Sequence, residues 1–193
     1  MTRLIFATNN KHKFEEIKDK VSGKIELINL NDLNFFKEIP EEQETIEDNA
    51  LQKAFYIYKK FGINCFADDT GLEVDALNGA PGVYSARYAG EKVTYEDNVN
   101  KLLEELKDHS NRTARFRTCI ALIENGKQTM FHGNVEGIIT YDKRGANGFG
   151  YDPVFQPKGS SKTFAEMSFI EKNAISHRAI ATKLLVDYLA KKY

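Results

Sequence analysis

The opening of the chain constrains its fold most. An apolar run, Leu4-Ile5-Phe6-Ala7, stops abruptly at Thr8-Asn9-Asn10, and a helical pattern begins. A short run of this kind reads as a buried strand in a sheet covered by helices. Phe14, Ile17 and Val21 then recur at helical spacing, Gly23 closes the segment, and Ile25 to Leu30 reads as a second strand. A β-α-β opening places the chain among α/β folds.

The following stretches extend that pattern. Asn31 to Glu44 is polar and acidic with Pro40 inside it, and reads as a loop. Thr45 caps a helix in which Ile46, Ala50, Lys53 or Ala54, Ile57 and Phe61 follow a 3.6-residue period. Ile63 to Ala67 is a further short buried strand, ended by the turn chemistry of Asp68-Asp69-Thr70-Gly71. Thr94 caps another helix, carrying Val99, Leu102, Leu103 and Leu106. The second half changes character: Thr113 to Glu124 and Lys127 to Tyr141 are strand-like runs joined by Asn125-Gly126, a strong hairpin signal. A last helix from about Ser176 places Ile180, Leu184, Leu185, Tyr188 and Leu189 on one face. The sum is a twisted mixed sheet flanked by helices, with a long hairpin forming part of a second lobe.

Composition narrows the function classes. At 193 residues the chain makes one domain or at most two tight lobes, large enough to fold without a disulfide or metal staple. Lys and Arg number 27 against 28 for Asp and Glu, and that balance argues against a dedicated binder of nucleic-acid backbone. It leaves room for a small phosphate ligand in a local basic pocket. Cys65 and Cys119 stand far apart with no CxxC pair, so they read as buried strand residues. The amino-terminal apolar run is too short for a signal peptide or a spanning helix, which predicts a cytoplasmic protein with no membrane segment.

Four segments carry candidate chemistry. Thr8-Asn9-Asn10-Lys11-His12-Lys13 leads from a strand into a helix, where backbone N–H groups and the positive dipole end suit phosphate, and Lys13 can join them. Asp68 and Asp69 follow a strand, and a carboxylate there suits Mg²⁺, which takes one or two carboxylates plus substrate phosphates. Glu41, Glu42, Glu44 and Glu47 offer a second carboxylate for the same ion. Gly148-Phe149-Gly150-Tyr151-Asp152-Pro153 combines close backbone approach with ring faces for a base. Ser176-His177-Arg178, with Lys172 a turn earlier, presents donors to carbonyl or phosphate oxygens. Each segment alone also fits an ordinary cap, turn or solvated face. Together they describe a nucleoside triphosphate with Mg²⁺.

Taken in order, these segments resemble the inosine triphosphate/xanthosine triphosphate pyrophosphatase family. The resemblance also rests on Glu47-Asp48-Asn49-Ala50 with Lys53, on Ala67 through Leu72, on Gly79 through Tyr88 and on Ser176 through Ala179, and it spans essentially the whole chain. It implies an elongated mixed sheet with two lobes and a central substrate cleft, one pyrophosphatase domain over residues 1–193, and a homodimer. It further implies Mg²⁺-dependent hydrolysis of dITP, ITP and XTP to monophosphate and pyrophosphate. Thr8, Asn9, Asn10, Lys11, His12 and Lys13 resemble the family's triphosphate grip, with Lys53 beside the leaving group. Asp69 resembles its general base and metal ligand, and Thr70 adjoins it in substrate contact. Phe149, Gly150, Tyr151, Asp152, Lys172, His177 and Arg178 resemble its base-reading set. Glu41 is taken as the other metal carboxylate, from a Glu-rich loop that also offers Glu38 and Glu42. Thr70 stands where many relatives have Ser, which keeps the hydroxyl. A pyrophosphatase for pyrimidine or modified nucleotides, and a nucleotide sensor without turnover, are the rival expectations.

Overall fold

The computed structural model describes residues 2–18, 20–21 and 25–193; Gly23, read above as the end of the first helix, lies outside them. Strand β1 (Thr2–Phe6) leads through Thr8-Asn9-Asn10 into α1 (Lys11–Lys18), and β2 (Ile25–Ile28) follows. Helix α2 (Ile46–Phe61) starts where Thr45 accepts the Asp48 N–H and stops at Gly62 in the left-handed region, φ 65°. Next come β3 (Cys65–Val74), the short β4 (Pro81–Gly82) and α3 (Tyr95–Glu105). Thr94 and Asp97 close a reciprocal capping box at the start of α3. The hairpin strands are β5 (Thr113–Glu124) and β6 (Lys127–Ile139), joined at Asn125 (φ 50°) and Gly126 (φ 77°). Two successive left-handed residues give the turn that matches strand twist. The chain ends with β7 (Phe155–Pro157), α4 (Phe169–Ile175) and α5 (His177–Lys192).

The strands form one seven-stranded sheet in the order β2-β1-β3-β5-β6-β7, with β4 pairing off β3. Strand β1 runs parallel to β2 and β3, while β4 and β7 are antiparallel to their partners. The expected mixed α/β sheet with flanking helices is therefore present.

The chain folds as two compact units, Met1–Asp69 with Thr118–Gly133 and Arg178–Tyr193, and Thr70–Arg117 with Asn134–His177. Leu4, Phe6, Ile17, Phe66, Ile120, Leu185 and Leu189 belong to the core of the first, where the Phe6 and Phe66 rings stack at 4.5 Å. Leu72, Val99, Leu102, Phe116, Phe155 and Phe164 belong to the core of the second. Both cysteines are buried, as expected.

Two expectations need correction. Asp68-Asp69-Thr70-Gly71 is not a turn: β3 continues through it to Val74. Turn chemistry loses here because Asp68 and Asp69 meet cations from other elements. The buried stripe of α5 is also rotated. Ala181, Leu185 and Leu189 are inside, whereas Ile180 and Leu184 are exposed. The stripe passes through Arg178, Ala181 and Thr182, which a count of large apolar residues overlooks.

Candidate active site

The first unit gathers three cations and three carboxylates at the end of β1 and along β3. Asn10 begins α1: its side-chain oxygen accepts the Lys13 N–H at 3.2 Å, and its own N–H donates to Thr8 Oγ1 at 3.1 Å. Lys13 thus stands in the first helical turn, and its ammonium reaches Asp68 Oδ2 at 3.1 Å. The same oxygen accepts from Arg178 Nε at 3.2 Å, at the start of α5. One residue along β3, Asp69 Oδ1 accepts from Lys53 Nζ at 2.9 Å. Lys53 comes from the buried face of α2 and also donates to Glu41 Oε1 at 2.5 Å.

Burial and charge divide the adjacent aspartates. Burial raises both, but beside Lys13, Arg178 and Lys53 the Asp68 carboxyl is held well below the usual carboxylate range. At Asp69 burial prevails over Lys53 and Lys13, Glu41 adds to it, and the carboxyl is raised. Such a split assigns different tasks to neighbouring carboxyls: one stays ionised as a counter-ion, the other has proton affinity to spare. Burial opposes the Lys53 charge, yet Asp69, Glu41 and Asp68 together raise it. At Lys13 burial, joined by the like charges of Lys53 and Arg178, outweighs Asp68 and lowers the ammonium.

Glu41 is the acidic-loop residue that reaches this cluster; Glu38 and Glu42 are exposed. Its carboxylate and that of Asp69 converge on a single ammonium, a place where positive charge is already favoured. Two hard carboxylate oxygens are the donor type that Mg²⁺ takes from protein. Among the described residues no cluster of three or more metal-ligating side chains occurs, so an all-protein zinc-type cage is not what these residues build. Lys11 and His12 are exposed on α1, and exposed Asn9 donates to the Lys37 carbonyl at 3.0 Å, fastening the acidic loop beside the β1–α1 connection.

The second unit holds the aromatic set. Asp152 is buried, accepts the Phe149 N–H at 2.8 Å and pairs with Lys172 Nζ at 2.8 Å. The Lys172 ammonium lies 4.8 Å from the Phe149 ring centre, and the Tyr95 ring stands 6.0 Å from the same ring. Gly148 has φ 78°, and a Cβ there would meet Asp152 Oδ2 at 2.0 Å. Gly150 is also left-handed, at 62°. His177 is buried and stacks on Phe116 at 4.5 Å and 14°. Tyr151 differs from its neighbours: it packs in the core and donates its hydroxyl to the Ser85 carbonyl at 2.9 Å. Thr70 is half-buried in β3, next to Asp69.

The structure therefore brings Lys13, Lys53, Glu41, Asp69 and Arg178 together, and separately Phe149, Asp152 and Lys172. Sequence reasoning missed Tyr95 beside Phe149 and Phe116 beside His177, and it left Asp68 between a second metal ligand and a structural acceptor. It also missed α4, which carries Lys172. The signal was present: Ser168 and Glu171 have capping-box spacing, and both reciprocal bonds form.

Comparison with known proteins gives a consistent result. The Ham1 family model matches residues 4–188. A Flavobacterium johnsoniae protein named dITP/XTP pyrophosphatase is 53% identical over 187 residues, covering 97% of each chain. One of the same name from Porphyromonas gingivalis is 52% identical over 190 residues, covering 98% of each. The structure of a HAM1 protein from Coxiella burnetii superimposes with a TM-score of 0.93 at 39% identity, over 99% of this chain and 100% of that one. The match to the family model over residues 4–188 and relatives more than 50% identical over nearly the whole chain lead to one conclusion: the chain belongs to the Ham1 family.

Proposed function

We propose that the protein hydrolyses dITP, ITP and XTP to the nucleoside monophosphate and pyrophosphate. The observation that carries this reading is the alternation around β3, where Glu41 and Asp69 flank Lys53 while Lys13 and Arg178 flank Asp68. Cations suit the triphosphate and paired carboxylates suit its metal. The names of the relatives support the same substrate class.

In this reading Glu41 and Asp69 hold Mg²⁺, which when bound offsets the charge that develops on the phosphate oxygens. Asp69 takes the proton of the attacking water. The water oxygen bonds to the α-phosphorus, the bond from that phosphorus to the α–β bridging oxygen breaks, and its electron pair leaves with pyrophosphate. Lys13 and Lys53 neutralise that leaving group. Thr8, Asn9, Asn10, Lys11 and His12 line the loop and helix start that approach the phosphates, and Thr70 adjoins Asp69 in substrate contact.

Base selection falls to Phe149, Gly150, Asp152, Lys172, His177 and Arg178, with Tyr151 fixing the segment from the core. Hypoxanthine and xanthine present an acceptor, O6, where adenine presents an amino donor. A site built to donate there leaves ATP mismatched and can reject it by ~10⁴-fold. We further propose a homodimer acting in the cytoplasm; the half-exposed Tyr84 supports a contact surface. Among the described residues no helix is long and apolar enough to cross a membrane.

Pyrophosphate release from ITP, dITP, XTP, GTP, ATP and dTTP, with Mg²⁺ and with EDTA, tests the proposal. Metal-dependent release confined to ITP, dITP and XTP is expected. Release from dTTP contradicts the purine reading, and tight binding without release from any nucleotide favours a sensor.

A further inference from the structure

The mechanism above uses Asp69 and leaves its neighbour unused. Asp68 is 1% exposed, and one of its oxygens, Oδ2, receives both the Lys13 ammonium and the Arg178 Nε. These cations arrive from opposite ends of the chain, one in the first turn of α1 and one in the first turn of α5. We propose that Asp68 is a positioning residue whose carboxylate fixes the Lys13 ammonium and the Arg178 guanidinium at a set spacing. It thereby ties the group that grips phosphate to the group that reads the base. The second half of this statement rests on the roles proposed above for Lys13 and Arg178.

Three physical arguments support the assignment. Lysine has a long stem with many rotamers, and an anchored ammonium loses that freedom before substrate arrives. Two cations this close repel, and a shared carboxylate between them removes the repulsion. A carboxylate beside a triphosphate also opposes anion binding, so Asp68 weakens affinity and must act through placement. A structural residue and a positioning residue therefore leave different signatures.

The test compares full-length wild type with Asp68→Asn, which keeps the shape and removes the charge. Calorimetric binding of inorganic tripolyphosphate in EDTA is expected to be no weaker in the variant. Turnover of ITP with Mg²⁺ is expected to fall about 100-fold, because misplacement by about 1 Å has that effect. The ratio of kcat/KM for ITP over ATP is expected to fall about tenfold as Arg178 loses its anchor. Acetylation of Lys13, followed by mass spectrometry, is expected to quicken severalfold, and this readout needs no assumption about the nucleotide. Wild-type turnover and selectivity in a folded variant would overturn the proposal. So would a parallel loss of tripolyphosphate affinity, turnover and thermal transition, the mark of a purely structural residue. If Asp68→Asn does not fold, Asp68→Glu retains the charge but moves it by one methylene. The same fall in turnover is then expected, and wild-type turnover overturns the idea. A wild type that releases no pyrophosphate from ITP defeats the substrate reading, while Lys13 acetylation still decides the role of Asp68: an unchanged rate overturns it.

Discussion

Gly148 shows how much chemistry can depend on one missing side chain. Its φ of 78° already disfavours any other residue, and the Asp152 carboxylate occupies the space a Cβ would need. That carboxylate also holds the Phe149 N–H and the Lys172 ammonium. Gly148→Ala is therefore expected to reduce the ITP-over-ATP ratio of kcat/KM by about tenfold, while tripolyphosphate binding, proposed to fall to Lys13 and Lys53, stays at the wild-type level. Equal ratios in the two proteins would contradict this role. The residue types at this site were legible as a glycine-aromatic segment. The partner was not, because Lys172 is 20 residues from Asp152 and only the fold joins them. Asp68 is the stronger case: its guanidinium partner is 110 residues away, so no local window distinguishes a buried strand aspartate from a turn aspartate.

At the scale of elements, legibility followed the locality of the signal. The caps at Thr45 and Thr94 and the Asn125-Gly126 turn rest on bonds between residues a few positions apart, and they stand where the sequence places them. Thr45→Ala removes the acceptor of the Asp48 N–H and is expected to cost ~1 kcal/mol, read as a lower urea midpoint at unchanged slope. Helix α4 responds to pH through its cap. Hydrogen bonds from Lys162 and from the Ser168 N–H hold the Glu171 carboxyl down at about 2. Its folded value lies below the unfolded one, so the stabilisation is complete above the ordinary glutamate range, ~4.3, and is lost as pH falls through about 2. A carboxyl ¹³C titration by NMR is expected to give a Glu171 midpoint well below ~4.3; a midpoint at that ordinary value would contradict the cap.

At the scale of the whole molecule, the β-α-β opening predicted an α/β fold, and the mixed sheet agrees. The two cores were legible only in part, since β3, β5 and β6 each contribute residues to both units. No period in the sequence marks where a strand passes from one unit to the other. Phe66 and Phe155 are fully buried, one in each unit. Truncation of either to Ala is expected to destabilise by ~3–5 kcal/mol, measured by urea denaturation. A change below ~1 kcal/mol at either position would contradict its place in the core.

Asp69, held by the Lys53 ammonium at 2.9 Å, is the group proposed to activate water. The most direct test is steady-state hydrolysis of ITP by Asp69→Asn beside wild type, with ITP binding measured separately in EDTA. Turnover is expected to fall by about 10²–10⁴-fold, as loss of a general base does, with metal-free ITP affinity changed by less than about threefold. Near-normal turnover in the variant would contradict the account and move the catalytic role away from β3.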